Sequence, residues 1–325
     1  MICYPWMSTT KHCANTKTNS LSISVQCAVT HWIYVTTYQE TTFGYPLVKW
    51  KNIIAMNNAN PKYIHDGVCI FCRKNVSETH FLKKPHTITK ALGNKRIGKD
   101  ICDSCNEYFG NKDKEKYKGL SIEVCVKEVL NFSRIILLDP KMSYSSEFFK
   151  FDSTQHKITV YPKFNNDNVW FERFTRLFKR GIYEMWLQEY HMYNFKALDP
   201  MFDAIRNFSR YDEGDIPLYY LVPSGAFLTN KTMLNNTSFH INDNSIKDVY
   251  KSGFYKLYIA GHVFLLEVTP TAINNRELYF DKICSDLCIP GIAFKEIIEL
   301  KSIKEIDIFL SSLYTTETRP LCPNL

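Results

Sequence analysis

No apolar run in the sequence approaches the roughly 18 residues that cross a bilayer as a helix, so a membrane-spanning helix is not expected. There is no glycine-rich phosphate loop and no G-x-S-x-G nucleophile elbow, and the whole chain carries only 12 glycines. Phosphate cradling by backbone amides and serine-hydrolase chemistry are therefore not indicated. No internal repeat is visible, which argues against a solenoid or propeller. A basic segment followed by an apolar core is missing from the opening residues, so they do not read as a signal peptide. Charge is not strongly one-sided either: 40 Lys and Arg stand against 33 Asp and Glu, a formal net of +7. That balance suits a nucleic-acid partner without demanding one.

What is present is a chain of 325 residues, long enough for two domains, with an ordinary hydrophobic content of 45%. Cysteine is plentiful at eleven. Two exact C-x-x-C pairs, Cys69/Cys72 and Cys102/Cys105, stand in the stretch CIFC…ICDSC. Two residues between cysteines let one tight turn aim both sulfurs at one ion, and two such turns supply the four thiolates that suit Zn²⁺. The pairs are separated by residues 73 to 101, a wider gap than the usual ~15–20. The spacing predicts that they close the base of an inserted hairpin carrying the working residues. The remaining cysteines are an odd set without a secretory signal, which argues against a disulfide framework and for a reducing, cytoplasmic setting. Among them, Cys125 reads as packing on a helix, and Cys284 and Cys288 as one helical face of a core.

The segments CIFC, PHTITKALGN and ICDSCNEYFG, in that order, resemble the HNH endonuclease family in its zinc-knuckle form. The resemblance covers residues 67 to about 118. It implies a small ββα-metal (His-Me finger) module, a two-stranded hairpin followed by a helix that cradles a catalytic divalent cation. It implies further that His86 is the general base, that Asn106 lies on the helix facing the metal, and that the zinc on Cys69, Cys72, Cys102 and Cys105 is structural. Asn106 equally suits a cap at the helix start. The chain departs from the family at Pro85, where an acidic residue or His usually binds the metal. Asp100, Asp103 or a third group would have to replace it. The Asn that commonly braces the hairpin has Asn94 and Asp100 as its nearest candidates.

From residue 83 to 118 there are ten Lys and Arg and five Asp and Glu. Lys84, Lys90, Lys95 and Arg96 are the expected phosphate contacts, with DNA favoured over RNA and binding weakened by salt. A solvated lysine-rich face is the competing reading. The fold class is thus α+β, with the zinc module at 61–118 followed by a mixed α+β accessory domain at 119–325. Residues 1–60 form a weakly structured extension, with at most a weak strand at 28–38. Met56 is the expected functional start, with residues 1–55 poorly ordered.

Within the module, Thr79 to Ile88 is the first expected strand, residues 99–102 a short returning strand, and Asp103 onward a helix ending near Gly110. Ile122, Cys125, Val126, Val129 and Leu130 recur at helical spacing over 121–138, with Ser121 as cap and Asp139-Pro140 as stop. KITVYP reads as a strand. Phe171, Phe174, Leu177, Phe178, Ile182, Met185 and Trp186 form a continuous stripe over 169–190. Its Arg173, Arg176, Lys179 and Arg180 read as a solvated face rather than a track for a DNA backbone. Asp199-Pro200 opens a short helix to 208. The rest reads mainly as strands: IPLYYLV, TSFHIND, and FYKLYIA joined to HVFLLEV by a turn at Ala260-Gly261. His240 and His262 read as structural.

Two functions follow. The first is a metal-dependent HNH-type endonuclease, similar in architecture to restriction or defence nucleases. The second is a zinc-dependent nucleic-acid-binding module in which Pro85 marks lost catalysis.

Overall fold

The computed structural model describes residues 58–112, 116, 119–139, 143–155, 157–161, 168–223, 234, 237–286 and 294–306. The readings made for residues 1–55 and for Cys288 lie outside these.

Residues 58–102 run as turns and isolated bridges, with one short 3₁₀ turn at Lys90–Leu92. Helix α1 (Asp103–Gly110) follows, and α2 (Ile122–Leu138) begins at Ser121, whose hydroxyl accepts from the Val124 amide. A small antiparallel meander comes next, β1 (Tyr144–Ser145), β2 (Phe149–Asp152) and β3 (Lys157–Val160). Helix α3 (Asn168–Asn194) is the longest element, with its stripe residues all buried. Burial continues round to Thr175, Lys179, Arg180, Glu184, Gln188 and Glu189. A helix covered on nearly every side lies inside the fold rather than on it.

After a 3₁₀ turn (Pro200–Phe202), capped by Asp199, come α4 (Asp203–Arg206) and a π turn (Asn207–Tyr211). The remaining elements are β4 (Leu218–Pro223), α5 (Asp243–Ser252), β5 (Phe254–Ile259), β6 (His262–Glu267), α6 (Ala272–Asp286) and β7 (Phe294–Glu299). The four strands form an antiparallel sheet in the order β5-β6-β4-β7. Alternation divides its faces. Leu218, Tyr220, Leu257, Phe264 and Leu266 belong to the core that contains α3, and Tyr219, Leu221, Phe254, Val263 and Leu265 to a second cluster completed by Ala272, Tyr279 and Ile283 of α6. The sheet is therefore sandwiched between α3 and α6. Tyr183 of α3 pins it, donating to the Pro217 carbonyl at 2.6 Å and accepting from the Glu267 amide at 3.0 Å.

Several expectations are corrected. Thr79 to Ile88 and residues 99–102 do not form strands; the hairpin is held by a single antiparallel bridge, His86 to Ile97, while Phe81 bridges to Ala59. TSFHIND is not a strand. Its Asn242 caps α5 in a reciprocal capping box with Ser245, and His240 is exposed. Helices α5 and α6 replace part of the expected strand-rich region, with Cys284 exposed on α6. Three of the four cations of α3, Arg176, Lys179 and Arg180, are paired within the fold rather than solvated or free for DNA. Lys179 pairs with Asp215 at 2.7 Å, Arg176 with Asp212 at 2.7 Å, and Arg180 donates to the carbonyls of Phe208 and Ser209. The Ala260-Gly261 turn joins β5 to β6 as expected.

His262 is fully enclosed, with Ser133 Oγ 2.7 Å from Nε2 and Tyr220 Oη 3.2 Å from Nδ1. Burial pushes its pKa down to about 3. The unfolded chain takes up this proton near pH 6.5 and the native chain does not. The stability is fully present above that value and is lost as pH falls toward 3. Native His262 is expected to cost roughly 3 kcal/mol of stability between pH 7 and pH 4. In urea unfolding across that range, His262→Gln should lose less; parallel losses in the two proteins would refute the assignment.

Candidate functional site

The two C-x-x-C turns come together. Arg73, at φ 60°, closes the first, with its amide donating to the Cys69 carbonyl, and Cys102 forms the N-terminal boundary of α1 at the second. All four Sγ atoms lie within 4.8 Å of one another, and the Cys72 and Cys102 sulfurs are 3.6 Å apart. That is far outside disulfide length, and close to the ~3.8 Å edge of a tetrahedron with ~2.3 Å Zn–S arms. Burial pushes the Cys69 thiol up, while hydrogen bonding from Cys105 drives Cys102 well below the usual thiol range. A thiolate in such a place calls for a cation. N–H groups already point at the sulfurs, from Cys102 to Cys69 at 3.4 Å and from Arg210 Nε to Cys105 at 3.3 Å. Such outer contacts orient metal ligands. The donor set fits a structural zinc ion.

The hairpin rises from this base. Gly98 donates to the Pro85 carbonyl at 3.0 Å, and Thr87 to the Arg96 carbonyl at 3.3 Å, on either side of the His86–Ile97 bridge. Helix α3 backs the hairpin: the buried Glu189 accepts from Thr87 Oγ1 and from Arg96 Nη1, and Arg96 Nη2 reaches the Met192 carbonyl. At the tip, Asn94 accepts from the Arg96 amide at 2.6 Å and donates to the Thr237 carbonyl at 2.6 Å. Asn94 is thus a brace of the hairpin.

His86 is half-buried, with its Nδ1 enclosed and without a hydrogen-bond partner. Its pKa lies below the ordinary histidine value, because of burial first and then the charges of Lys90 and Lys84. The imidazole is therefore neutral at pH 7, the form able to accept a proton. It lines a cavity of about 10 Å³, room for the centre of one water molecule, with Thr89, Glu123 and Glu184. Asn106 stands in the second turn of α1, half-buried, and its side-chain amide has no partner among the described residues. Cys102 occupies the cap position, so Asn106 is not the helix cap.

Lys84, Lys90 and Lys95 are exposed, with no ion-pair partner among the described residues. Arg96, by contrast, is tied to α3.

Of the two acids expected to replace the missing family ligand, Asp103 is half engaged, through Oδ1 alone, and Asp100 wholly. Asp103 accepts from the amides of Leu82 and Lys83 at 2.9 and 2.8 Å. Asp100 is buried and fully engaged by the amides of His65, Asp66 and Gly67 and by His191 Nε2 at 3.0 Å. His65, Asp66 and Asp100 also come within ligand distance of one another. Sequence reading missed Glu189, His191, Arg210, Glu123 and Glu184, because each meets the module only through the tertiary fold and carries no local motif.

Residues 69–118 match the family model described as HNH endonuclease. Neither curated proteins nor solved structures yield a match. Among the described residues, no helix is long and apolar enough to cross a membrane.

Proposed function

We propose that this protein is a metal-dependent HNH-type endonuclease that hydrolyses phosphodiester bonds in nucleic acid, with DNA favoured over RNA. The observation that carries the reading is His86: a half-exposed imidazole, kept neutral by burial and by Lys84 and Lys90, on a hairpin that a four-thiol cluster closes within the HNH-matching segment. Lys84, Lys90 and Lys95 draw the phosphate backbone to that face. His86 takes the proton of the attacking water. The buried contacts of Glu189 and Asn94 hold the hairpin so that the ring keeps its place, and Asn106 presents its amide from α1. The zinc on Cys69, Cys72, Cys102 and Cys105 fastens the hairpin base. A separate divalent cation, when bound, supplies charge stabilisation for the leaving oxygen. The free thiols of the cluster suit a reducing compartment such as the cytoplasm.

The test is plasmid cleavage with Mg²⁺, Mn²⁺ or Ni²⁺, with His86→Ala alongside. Cleavage is expected to fall about 10²–10⁴-fold in the variant while zinc content is retained. Since the base works deprotonated and its pKa is depressed, wild-type cleavage should rise with pH below 6.5 and be level by pH 7. A variant that cuts as well as wild type would show that His86 is not the base.

Pro85 favours a second reading, a zinc-dependent binding module without catalysis. It predicts nucleic-acid affinity that falls with salt, is indifferent to divalent ions, and leaves every strand intact.

A further inference from the structure

A second cavity lies apart from the hairpin histidine. It holds about 300 Å³, the size at which small-ligand sites begin. Tyr108 and Asn111, three residues apart and so on one face of α1 and its C-terminal boundary, form one wall. Leu120, Ile122 and Leu177, all buried, make the apolar part of the lining. Arg210 enters from the π turn, a helical irregularity that recurs at functional sites. Neither His86 nor Asn106 is among the lining residues.

Arg210 is half-buried and held flat. Its Cζ lies 4.0 Å from the centre of the Tyr108 ring and 5.3 Å from that of Tyr211, and Nε donates to Cys105 Sγ at 3.3 Å. The sulfur takes one of the five N–H donors of a guanidinium. Both Nη groups are without a hydrogen-bond or ion-pair partner among the described residues. Tyr108 Oη accepts from Arg180 Nη2 at 2.5 Å, and its own hydrogen meets no acceptor among the described residues. The other charges of the lining are met: Glu107 by Lys83, Lys112 by Glu147 and Arg180 by Asp212. Arg210 is the cation of the lining that has no carboxylate among the described residues. A pre-set guanidinium fork beside a hydroxyl and an amide is the donor set of a phosphate site. The apolar walls suit a flat body attached to that phosphate.

We propose that this cleft binds a nucleotide, with its phosphate on the Nη groups of Arg210, Tyr108 Oη and the Asn111 amide, and its base against Leu120, Ile122 and Leu177. The phosphate site rests on the side chains alone, whereas the choice of a nucleotide body rests on the nuclease reading. A free nucleotide and an unpaired nucleotide of a bound strand share this chemistry.

The measurement is calorimetric titration of the zinc-loaded full chain, with no other divalent cation, against AMP, GMP, CMP and UMP, against adenosine, and against a short single-stranded oligoadenylate. Cleavage is assayed separately. AMP should bind about tenfold or more tightly than adenosine, and Arg210→Gln should weaken AMP about tenfold or more with zinc content unchanged. Asn111→Glu, at an exposed position, sets a second carboxylate at the cleft and should weaken AMP as well, which answers an Arg210 variant that is merely misfolded. Oligoadenylate binding that exceeds AMP binding and falls in both variants assigns the cleft to an unpaired strand; the reverse order assigns it to a free nucleotide. Adenosine that binds as well as AMP, no binding of any nucleotide, or binding that neither variant changes overturns the proposal. Cleavage by a chain that binds no mononucleotide or oligoadenylate through Arg210 sinks the cleft and keeps the nuclease. Binding that depends on Arg210 in a protein that cuts nothing keeps the cleft and sinks the nuclease.

Discussion

Stripping zinc from the protein is expected to unfold the knuckle and hairpin rather than merely to silence them. The four thiols sit among Ile70, Phe71, Ile101 and Phe109, all almost fully buried, and regular secondary structure is nearly absent between residues 58 and 102. Apart from the thiols, that stretch is held by a few side-chain ties, those of Asp100, Glu189 and Asn94. Structural zinc in small domains binds with an apparent ~10–16 kcal/mol, comparable to the whole ~5–15 kcal/mol stability of a folded protein. Cys102→Ser should therefore lower zinc content from one ion per chain to well below that, and bring the melting temperature down sharply. Arg210 would lose nothing directly in that variant, since it donates to Cys105. A strong chelator should produce the same loss in the unmodified chain, reversible on adding Zn²⁺. Zinc-free protein that melts where the loaded protein melts would dismiss the structural ion.

Asp100→Ala should be nearly as damaging, by a different route. The carboxylate is fully enclosed, accepts from three consecutive amides ahead of Cys69, and meets His191 of α3. Burial alone would raise its pKa, but the contact with His191 and the three amides outweighs burial and holds it below the ordinary value. Removing it leaves those amides and the imidazole without an acceptor inside the protein. A buried pair broken on one side costs about 3–5 kcal/mol. Its neighbour Asp66→Ala, with an exposed side chain, should cost less than about 1 kcal/mol. Because the folded pKa is depressed, the contribution of Asp100 is complete above the unfolded value near 4 and is lost as pH falls through the folded one. Asp100→Asn should accordingly flatten the acid limb of a stability–pH curve. Urea midpoints for Asp100→Ala and Asp66→Ala that differ by less than the scatter would contradict the argument.

Local pattern carried the parts of this fold that depend on local physics. The stripe from Phe171 to Trp186, the Ser121 cap and the Asp199-Pro200 start all announce themselves within one or two turns, and each appears where the spacing places it. The two C-x-x-C pairs were equally plain, since a turn of fixed length dictates where two sulfurs point. Elements that depend on what lies opposite were harder. TSFHIND alternates like a strand, but Asn242 and Ser245 close a box that starts a helix. The hairpin strands dissolve into single bridges because the four-cysteine base, Glu189 and Asn94 hold the chain without a ladder. Lys179 and Arg180 look like surface cations and are buried, because Asp212, Asp215 and the carbonyls after α4 are waiting for them.

Helix α3 joins two ends of the described fold: through Glu189 and His191 it grips the hairpin and the loop before Cys69, and through Phe178, Tyr183 and Trp186 it lies on the sheet. Side chains from the two ends belong to one continuous core. The free energy needed to let the hairpin drift is then not a local quantity. Releasing His86 means breaking contacts with a helix whose opposite side is fixed by four strands, so small-scale fluctuations of that ring are suppressed along with the large ones. A ligand that tightened the sheet would then tighten the hairpin that carries His86, and one that loosened it would draw on the same stability at both places.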